Sequence, residues 1–328
     1  MSIFYRVIGL IFIVSIIAGC SKDEIEEVEM AIEEANFYLT YNKCDKALEV
    51  LASVGNQPYN AMYLMTKSSA YACKASYSDI TFFGSDISQI ASAQNSILGS
   101  LTKFSTSEMT ESNDAKFNNL QSALDTLWYS GGISRSSHAN RAAVFPALDI
   151  ADMNTQMLWM MLAQMGKYFF YYGNANPTDG KKGGGTPANG NNNGNSNSCL
   201  RQYTNAAAQA ILGVNTEPCD SGEAGHPDLA TVNATTISRM CKGVVLFNNF
   251  LDILINTTIS SSSETGNVGG LGSTLSTFFD VVCGGVVPTQ VCAVKTQSQC
   301  ESLYASDINT LELYFAGVFE TLYVGDPP

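Results

Sequence analysis

Residues 146–172 read PALDIADMNTQMLWMMLAQMGKYFFYY. Behind Pro146, apolar side chains at Ile150, Met153, Met157, Leu158, Trp159, Met160, Met161, Leu162 and Met165 continue to Tyr172 and cover nearly the whole circumference of a helix. Such a helix either sits at the centre of a bundle or walls an apolar ligand pocket. Asp152, Asn154, Gln156 and Gln164 interrupt it, which argues against a membrane span. Met153, Met157, Trp159, Met160, Met161 and Met165 are therefore candidates for a core or for an apolar pocket.

Outward from this helix, the same spacing recurs. Upstream, Ile25, Val28, Ile32, Ala35 and Leu39 mark a first amphipathic helix whose outer face is crowded with Asp23, Glu24, Glu26, Glu27, Glu29, Glu33 and Glu34. A second helix runs from about Asn42–Asp45 to Val54 and stops at Gly55-Asn56-Gln57-Pro58, and a third runs from Tyr59 to about Cys73. Ser85-Asp86 is expected to cap a helix carrying Ile87 to Phe104, and Asn113-Asp114 to open another carrying Phe117 to Trp128, ended by Gly131-Gly132. Downstream come a short helix near Ala206–Leu212, a long apolar one from Ile237 to Leu254, a Ser/Gly-rich break from Ser260 to Gly272, and a final helix from Ile308 to Leu322. No period-two segment is long enough for a strand. The fold class expected is all-α, built of antiparallel helical hairpins with a long Gly/Asn-rich loop.

That loop spans 173–198, where Gly, Asn, Ser and Thr dominate; it reads as a flexible linker or loop between a helical region over 20–172 and a disulfide-containing helical region over 199–328 packed on the first.

Ahead of these regions, Arg6 precedes an apolar run from Val7 to Ile17 that is too short to span a bilayer, and Ile17-Ala18-Gly19-Cys20 follows. These residues resemble the lipobox of bacterial lipoprotein signal peptides, in which an aliphatic residue and two small ones precede the acylated cysteine. The resemblance implies a signal peptide over 1–19 and lipidation of Cys20, with the bilayer as one partner. Several acyl chains, at about 0.8 kcal/mol per buried CH₂, make such an anchor nearly permanent. The family's sorting rule places Asp after the cysteine for inner-membrane retention; Ser21 stands there, which implies the outer membrane and the periplasmic side.

Cysteine usage points to the same kind of compartment. Of nine cysteines, removing Cys20 leaves eight: Cys44, Cys73, Cys199, Cys219, Cys241, Cys283, Cys292 and Cys300. An even remainder is what an oxidising environment favours, although eight cysteines allow 105 connectivities. Zinc ligation is disfavoured because no Cys-x-x-Cys or Cys-His spacing exists. Formal net charge is −13, and loss of Arg6 with the signal takes the body to −14, a surface that repels nucleic acid.

Within the first region, Tyr38, Ala47, Leu51, Val54 and Pro58 occupy spacings that resemble a tetratricopeptide unit over about Ala31–Tyr77. Ala31 and Ala35 depart from the pattern, and no 34-residue repetition continues beyond Tyr77. In a stack of this kind the start of one helix lies beside the end of the next. The resemblance therefore implies a disulfide between Cys44 and Cys73, with the pairing of the other six left open.

Chemistry-bearing residues are sparse. His138 and His226 are the only histidines, both expected in loops and outside any nucleophile or metal spacing. Gly180-Lys181-Lys182-Gly183-Gly184-Gly185-Thr186 lacks the ending and context of a phosphate loop and reads as linker. No catalytic residue, metal or cofactor is expected. The resemblance to tetratricopeptide lipoproteins implies an interaction or scaffold protein that holds a protein partner of the cell envelope; the alternative is a small-ligand-binding lipoprotein associated with transport.

Overall fold

A computed structural model describes residues 24–92, 96–183, 199–215, 219, 225–257 and 266–323. The signal segment, Cys20 and residues 184–198 of the Gly/Asn-rich stretch lie outside the described residues. Among the described residues all regular structure is helical.

A first helix, α1, covers 24–40. The chain then forms α2 (Cys44–Ser53), α3 (Ala61–Lys74), α4 (Asp79–Thr81), a π-helical turn over Phe82–Asp86, α5 (Ile87–Ser92), α6 (Ile97–Leu101), α7 (Ala115–Trp128), α8 (His138–Ala142) and α9 (Ala147–Tyr172). Beyond the loop come α10 (Ala206–Asn215), α11 (Pro227–Ala230), α12 (Ala234–Asn256), α13 (Gly266–Gly285), α14 (Thr289–Cys292), α15 (Gln297–Tyr304), α16 (Ile308–Tyr314), a second π-helical turn over Phe315–Glu320 and α17 (Thr321–Tyr323).

Helix α9 is the axis of the molecule. From Met157 through Tyr172 every residue is buried, and α3, α6, α7, α8 and α12 pack around it. Two close approaches need glycine. A Cβ on Gly166 would lie 2.5 Å from the Leu101 carbonyl oxygen of α6, and one on Gly243 of α12 would lie 2.7 Å from the Tyr168 ring. Amide and ammonium donors among the polar residues of α9 reach backbone carbonyls of the surrounding elements. Gln156 Nε2 donates to Met65 O at 3.1 Å and Gln164 Nε2 to Phe117 O at 3.1 Å, while Lys167 Nζ donates to Glu108 O at 3.3 Å. Buried donors left unpaired would cost about 1–3 kcal/mol each, so these contacts fix which neighbour meets which turn.

Several expected boundaries shift. The single helix anticipated from Ile87 to Phe104 is divided into α5 and α6, the latter capped by Ser96; Asp86 caps neither, since it ends the π-helical turn that runs into α5 and its carboxylate accepts from Ser105 N at 2.9 Å and Ser105 Oγ at 3.1 Å. The Ser/Gly-rich stretch is helical from Gly266 onward, since α13 begins there. Tyr38 and Val54 are half-buried and Ala47 and Leu51 fully buried in the α1–α3 region, but the segment after α3 turns into short helices and does not repeat it.

The flexible-linker expectation fails over 173–183. Gly183 N donates to Gly173 O at 2.9 Å and Asn176 N to Lys181 O at 2.9 Å, closing a folded turn. Lys182, read as linker, is buried against Glu320. The Glu320 carboxylate also accepts from Tyr203 OH at 2.7 Å and Leu200 N at 2.7 Å. Eight residues earlier, Glu312 pairs with Arg201 at 2.9 Å and accepts from Thr204 N at 2.9 Å and Asn205 N at 2.7 Å. Eight residues on an α-helix would turn these two side chains apart by about 80°, but the π-helical turn between them absorbs about one residue, so they align as if seven apart. Together they clasp residues 200–205 onto the C-terminal helix, closing one hydrophobic core that draws on both halves of the chain.

Four disulfides join Cys44 to Cys73, Cys199 to Cys219, Cys241 to Cys300 and Cys283 to Cys292. Closing the 29-residue Cys44–Cys73 separation contributes about 3–4 kcal/mol in the chain-entropy account.

Two measurements test this reading. Chain purified from an oxidising compartment should show none of these eight cysteines reactive to a thiol reagent before reduction, and new reactive thiols with a lowered urea midpoint after it. Glu320→Ala should cost about 3–5 kcal/mol by urea unfolding because it strands a buried ammonium. Lys46→Ala, which removes only the exposed pair with Glu49, should leave the urea midpoint unchanged within error.

Candidate functional site

Two features stand out from the packed core: the outer face of α1 and a cleft between α7, α12 and α15. In α1 the inward stripe is Val28, Ala31, Ile32 and Ala35, all buried. Ile25, expected on that stripe, is exposed instead, one turn before the packing begins. On the opposite side, Met30, Phe37 and Tyr41 are 63%, 57% and 62% exposed. Met30 and Phe37, seven residues apart, fall within about 20° of one another around the helix, and Tyr41 stands in the turn directly after its end. Phe37 and Tyr41 touch, ring centroids 5.1 Å apart. Glu26 and Glu33 flank this stripe on one side and Glu27 and Glu34 on the other, all within about 60° of its centre. The outer face is thus an apolar stripe between two rows of carboxylates, where the acidic reading alone had left it polar.

The cleft has a volume of about 420 Å³. Helix α7 supplies Gln121, Asp125, Trp128 and, just past its end, Tyr129; α12 supplies Lys242, Val245 and Leu246; and α15 supplies Gln297, Ser298 and Glu301. The Cys241–Cys300 bridge joins α12 to α15 at the residues directly preceding Lys242 and Glu301, which holds these two walls together. Gln121 Nε2 donates to Asp125 Oδ1 at 2.9 Å and Gln297 Nε2 to Glu301 Oε1 at 2.8 Å. Lys242 Nζ lies 5.6 Å from the Phe117 ring centroid, and no hydrogen bond from it is made among the described residues. Burial raises the Asp125 carboxyl above its ordinary range. Burial, aided by the nearby Arg239, lowers the Lys242 ammonium. Burial and the Asp125 charge push the Tyr129 phenol up to about 12.

The sequence candidates fall elsewhere. Met153, Met157, Trp159, Met160, Met161 and Met165 are all buried in the central packing, so of the two alternatives they form core. Trp159 meets Phe82 and Phe83 at 5.6 and 5.3 Å, and Met160 Sδ accepts from Ser68 Oγ. Cys199 and Cys219, whose sulfurs lie near Glu320, are spent on their mutual disulfide. His138 opens α8, donating its backbone N–H to Asp252 Oδ2 at 2.7 Å while its Nδ1 meets Asn154 Nδ2 at 3.0 Å. His226 caps α11 by accepting from Asp228 N at 3.2 Å, and its ring lies 4.5 Å from Tyr171 and 5.4 Å from Tyr172. Neither histidine reaches the cleft lining.

Sequence reasoning passed over Asp125, Lys242 and Glu301. One signal was present: Lys242 is the only charged or polar residue in the otherwise apolar run from Met240 to Phe247. The chain matches no protein-family model, no curated protein and no solved structure.

Burial lowers the His226 imidazole to about 4 from its usual 6.5. The unfolded chain then takes up a proton near pH 6.5 that the folded chain refuses until about pH 4. This contribution is complete above pH 6.5 and declines by about 3 kcal/mol as pH falls to 4. His226→Asn keeps a capping acceptor without the titration. The stability gap between wild type and this variant should shrink across that window, measured by urea unfolding at each pH.

Proposed function

We propose that the chain is a lipid-anchored interaction protein of the bacterial cell envelope, held at the outer membrane through Cys20 and facing the periplasm, which docks a partner protein on the outer face of α1. The observation that carries this reading is the doubly apolar α1, whose inner stripe builds the core while Met30, Phe37 and Tyr41 face outward. Exposed apolar side chains on one helix face, set among charges, are how helix-in-groove partners are engaged. Its two rows of glutamates specify a partner whose groove is apolar with basic edges, and they disfavour an anionic lipid surface.

The lipobox-like run ending at Cys20 supports the anchor, and the tetratricopeptide-like spacing of α1 to α3 supports an interaction role. No described helix is long and apolar enough to cross a membrane; in this reading the acyl group on Cys20 is the anchor. Ser21 to Asp23 are all that separate Cys20 from α1, and three residues reach at most about 10 Å. The docking face would therefore work next to the bilayer.

A photo-crosslinking residue placed at Phe37 in the lipidated full chain should capture a protein in intact cells, and capture should weaken as salt rises. The same residue at Leu148, which is exposed on α9, should not capture that partner. Phe37→Ser with Met30→Ser should abolish capture from a probe at Tyr41 while changing stability by about 0.5 kcal/mol or less per site. Crosslinks to lipid alone would overturn the partner-protein reading. Cys20→Ala tests the anchor separately: the protein should lose acyl labelling and leave the membrane fraction.

A further inference from the structure

We propose that the α7–α12–α15 cleft binds a small zwitterion carrying both an ammonium and a carboxylate, of the size of an amino acid or a dipeptide. This site is distinct from the α1 face, and neither reading depends on the other. The volume of about 420 Å³ lies within the usual range for small-molecule sites, roughly 300–1,000 Å³.

The lining has an unusual feature: its charges are present in both signs, and although Glu301 acts on Lys242 at a distance, they are not in contact with one another. No ion pair joins Asp125, Lys242 or Glu301 to any partner among the described residues. Each carboxylate accepts one side-chain amide hydrogen bond, from the glutamine four residues before it on the same helix, which leaves further acceptor capacity on both. Lys242 has the Phe117 ring face beside its ammonium and feels the Arg239 and Glu301 charges, with no carboxylate within ion-pair distance among the described residues. Trp128 also lines the cleft, and its indole Nε1–H is buried without an acceptor.

Half-buried charges and a buried N–H without partners are costly, and the cheapest resolution is a ligand that supplies the missing groups. An anion alone would satisfy Lys242 and Trp128 and be repelled by Asp125 and Glu301. A cation alone would do the reverse. A molecule with a carboxylate at one end and an ammonium at the other satisfies the donors and the acceptors together, and an apolar body between them can lie against Val245, Leu246 and the Trp128 and Tyr129 rings. The disulfide behind Lys242 and Glu301 holds two of the three walls in place before a ligand arrives, which lowers the ordering cost of binding.

The test uses the purified mature chain and four probes: leucine, glycyl-leucine, N-acetyl-glycyl-leucine and glycyl-leucinamide, followed by isothermal titration and by tryptophan fluorescence. At least one free zwitterion should bind and perturb the fluorescence, and blocking either end should weaken binding by about tenfold or more. Asp125→Asn should reduce the penalty for the acetylated probe, and Lys242→Met the penalty for the amide. Blocked probes that bind as well as the free ones, or no binding by any probe at millimolar concentration, would overturn the proposal. The wild-type series decides the matter even where a variant fails to fold.

Discussion

A helix that is buried on all sides cannot be stable until neighbours enclose it, and α9 imposes this demand on the whole chain. From Met157 to Tyr172 no residue reaches solvent appreciably, so helices from both halves must close around it. Its glycine at Gly166 lets α6 come within backbone distance, and Gly243 lets α12 lie on the Tyr168 ring. Its few polar residues do the orienting. A Gln164 that must meet Phe117 O and a Lys167 that must meet Glu108 O leave little freedom for α7 or for the loop before it to rotate or slide. Hydrophobic enclosure supplies the driving force, and these hydrogen bonds select one arrangement among many that would bury similar area.

The second half reaches that enclosure through charge. Glu312 and Glu320 are fully buried and would be prohibitive alone. Each is matched by a buried cation and by backbone N–H groups from residues 200–205, so the cost of burial is offset only when that segment is docked. The π-helical turn makes both carboxylates available on one face. Placing Lys182 there also pulls the end of the Gly/Asn-rich turn against the core. Residues 173–183, with almost no apolar side chains, are thereby held against the core by one buried ion pair and a few backbone hydrogen bonds.

What could be read from the amino-acid order follows from what periodicity encodes. The helical class, the centrality of residues 146–172, and the cap at Asp114 all depend on local spacing, and each agrees with the structure. Boundaries failed where a long-range contact outweighed local preference. Asp86 prefers Ser105 over a capping role, and the run from Gly266 is helical although rich in glycine. The clasp was hidden because a spacing of eight is not a helical repeat unless a π-helical turn absorbs one residue. The cleft was equally hidden, since Asp125, Lys242 and Glu301 lie on three helices far apart in sequence, and only the odd lysine in an apolar run marked it.

The first helix went half-read for a different reason. Its acidic residues were taken to define a solvated surface, yet charges on an amphipathic helix do not exclude an apolar stripe between them. Met30, Phe37 and Tyr41 repeat at seven and four, a spacing that belongs to the same periodicity as the inner face and is masked by it. Exposure alone would be unremarkable for any one of them. Their alignment matters, because a stripe that contributes nothing to the body's own core exposes apolar area at a cost in solubility, and the glutamates on both flanks offset that cost while setting the sign of what can approach. Rigidity next to the stripe then becomes useful: α2 and α3, which follow α1 in the chain, are bridged at Cys44 and Cys73, and the inner stripe of α1 belongs to the same core, so a partner has less to order on binding.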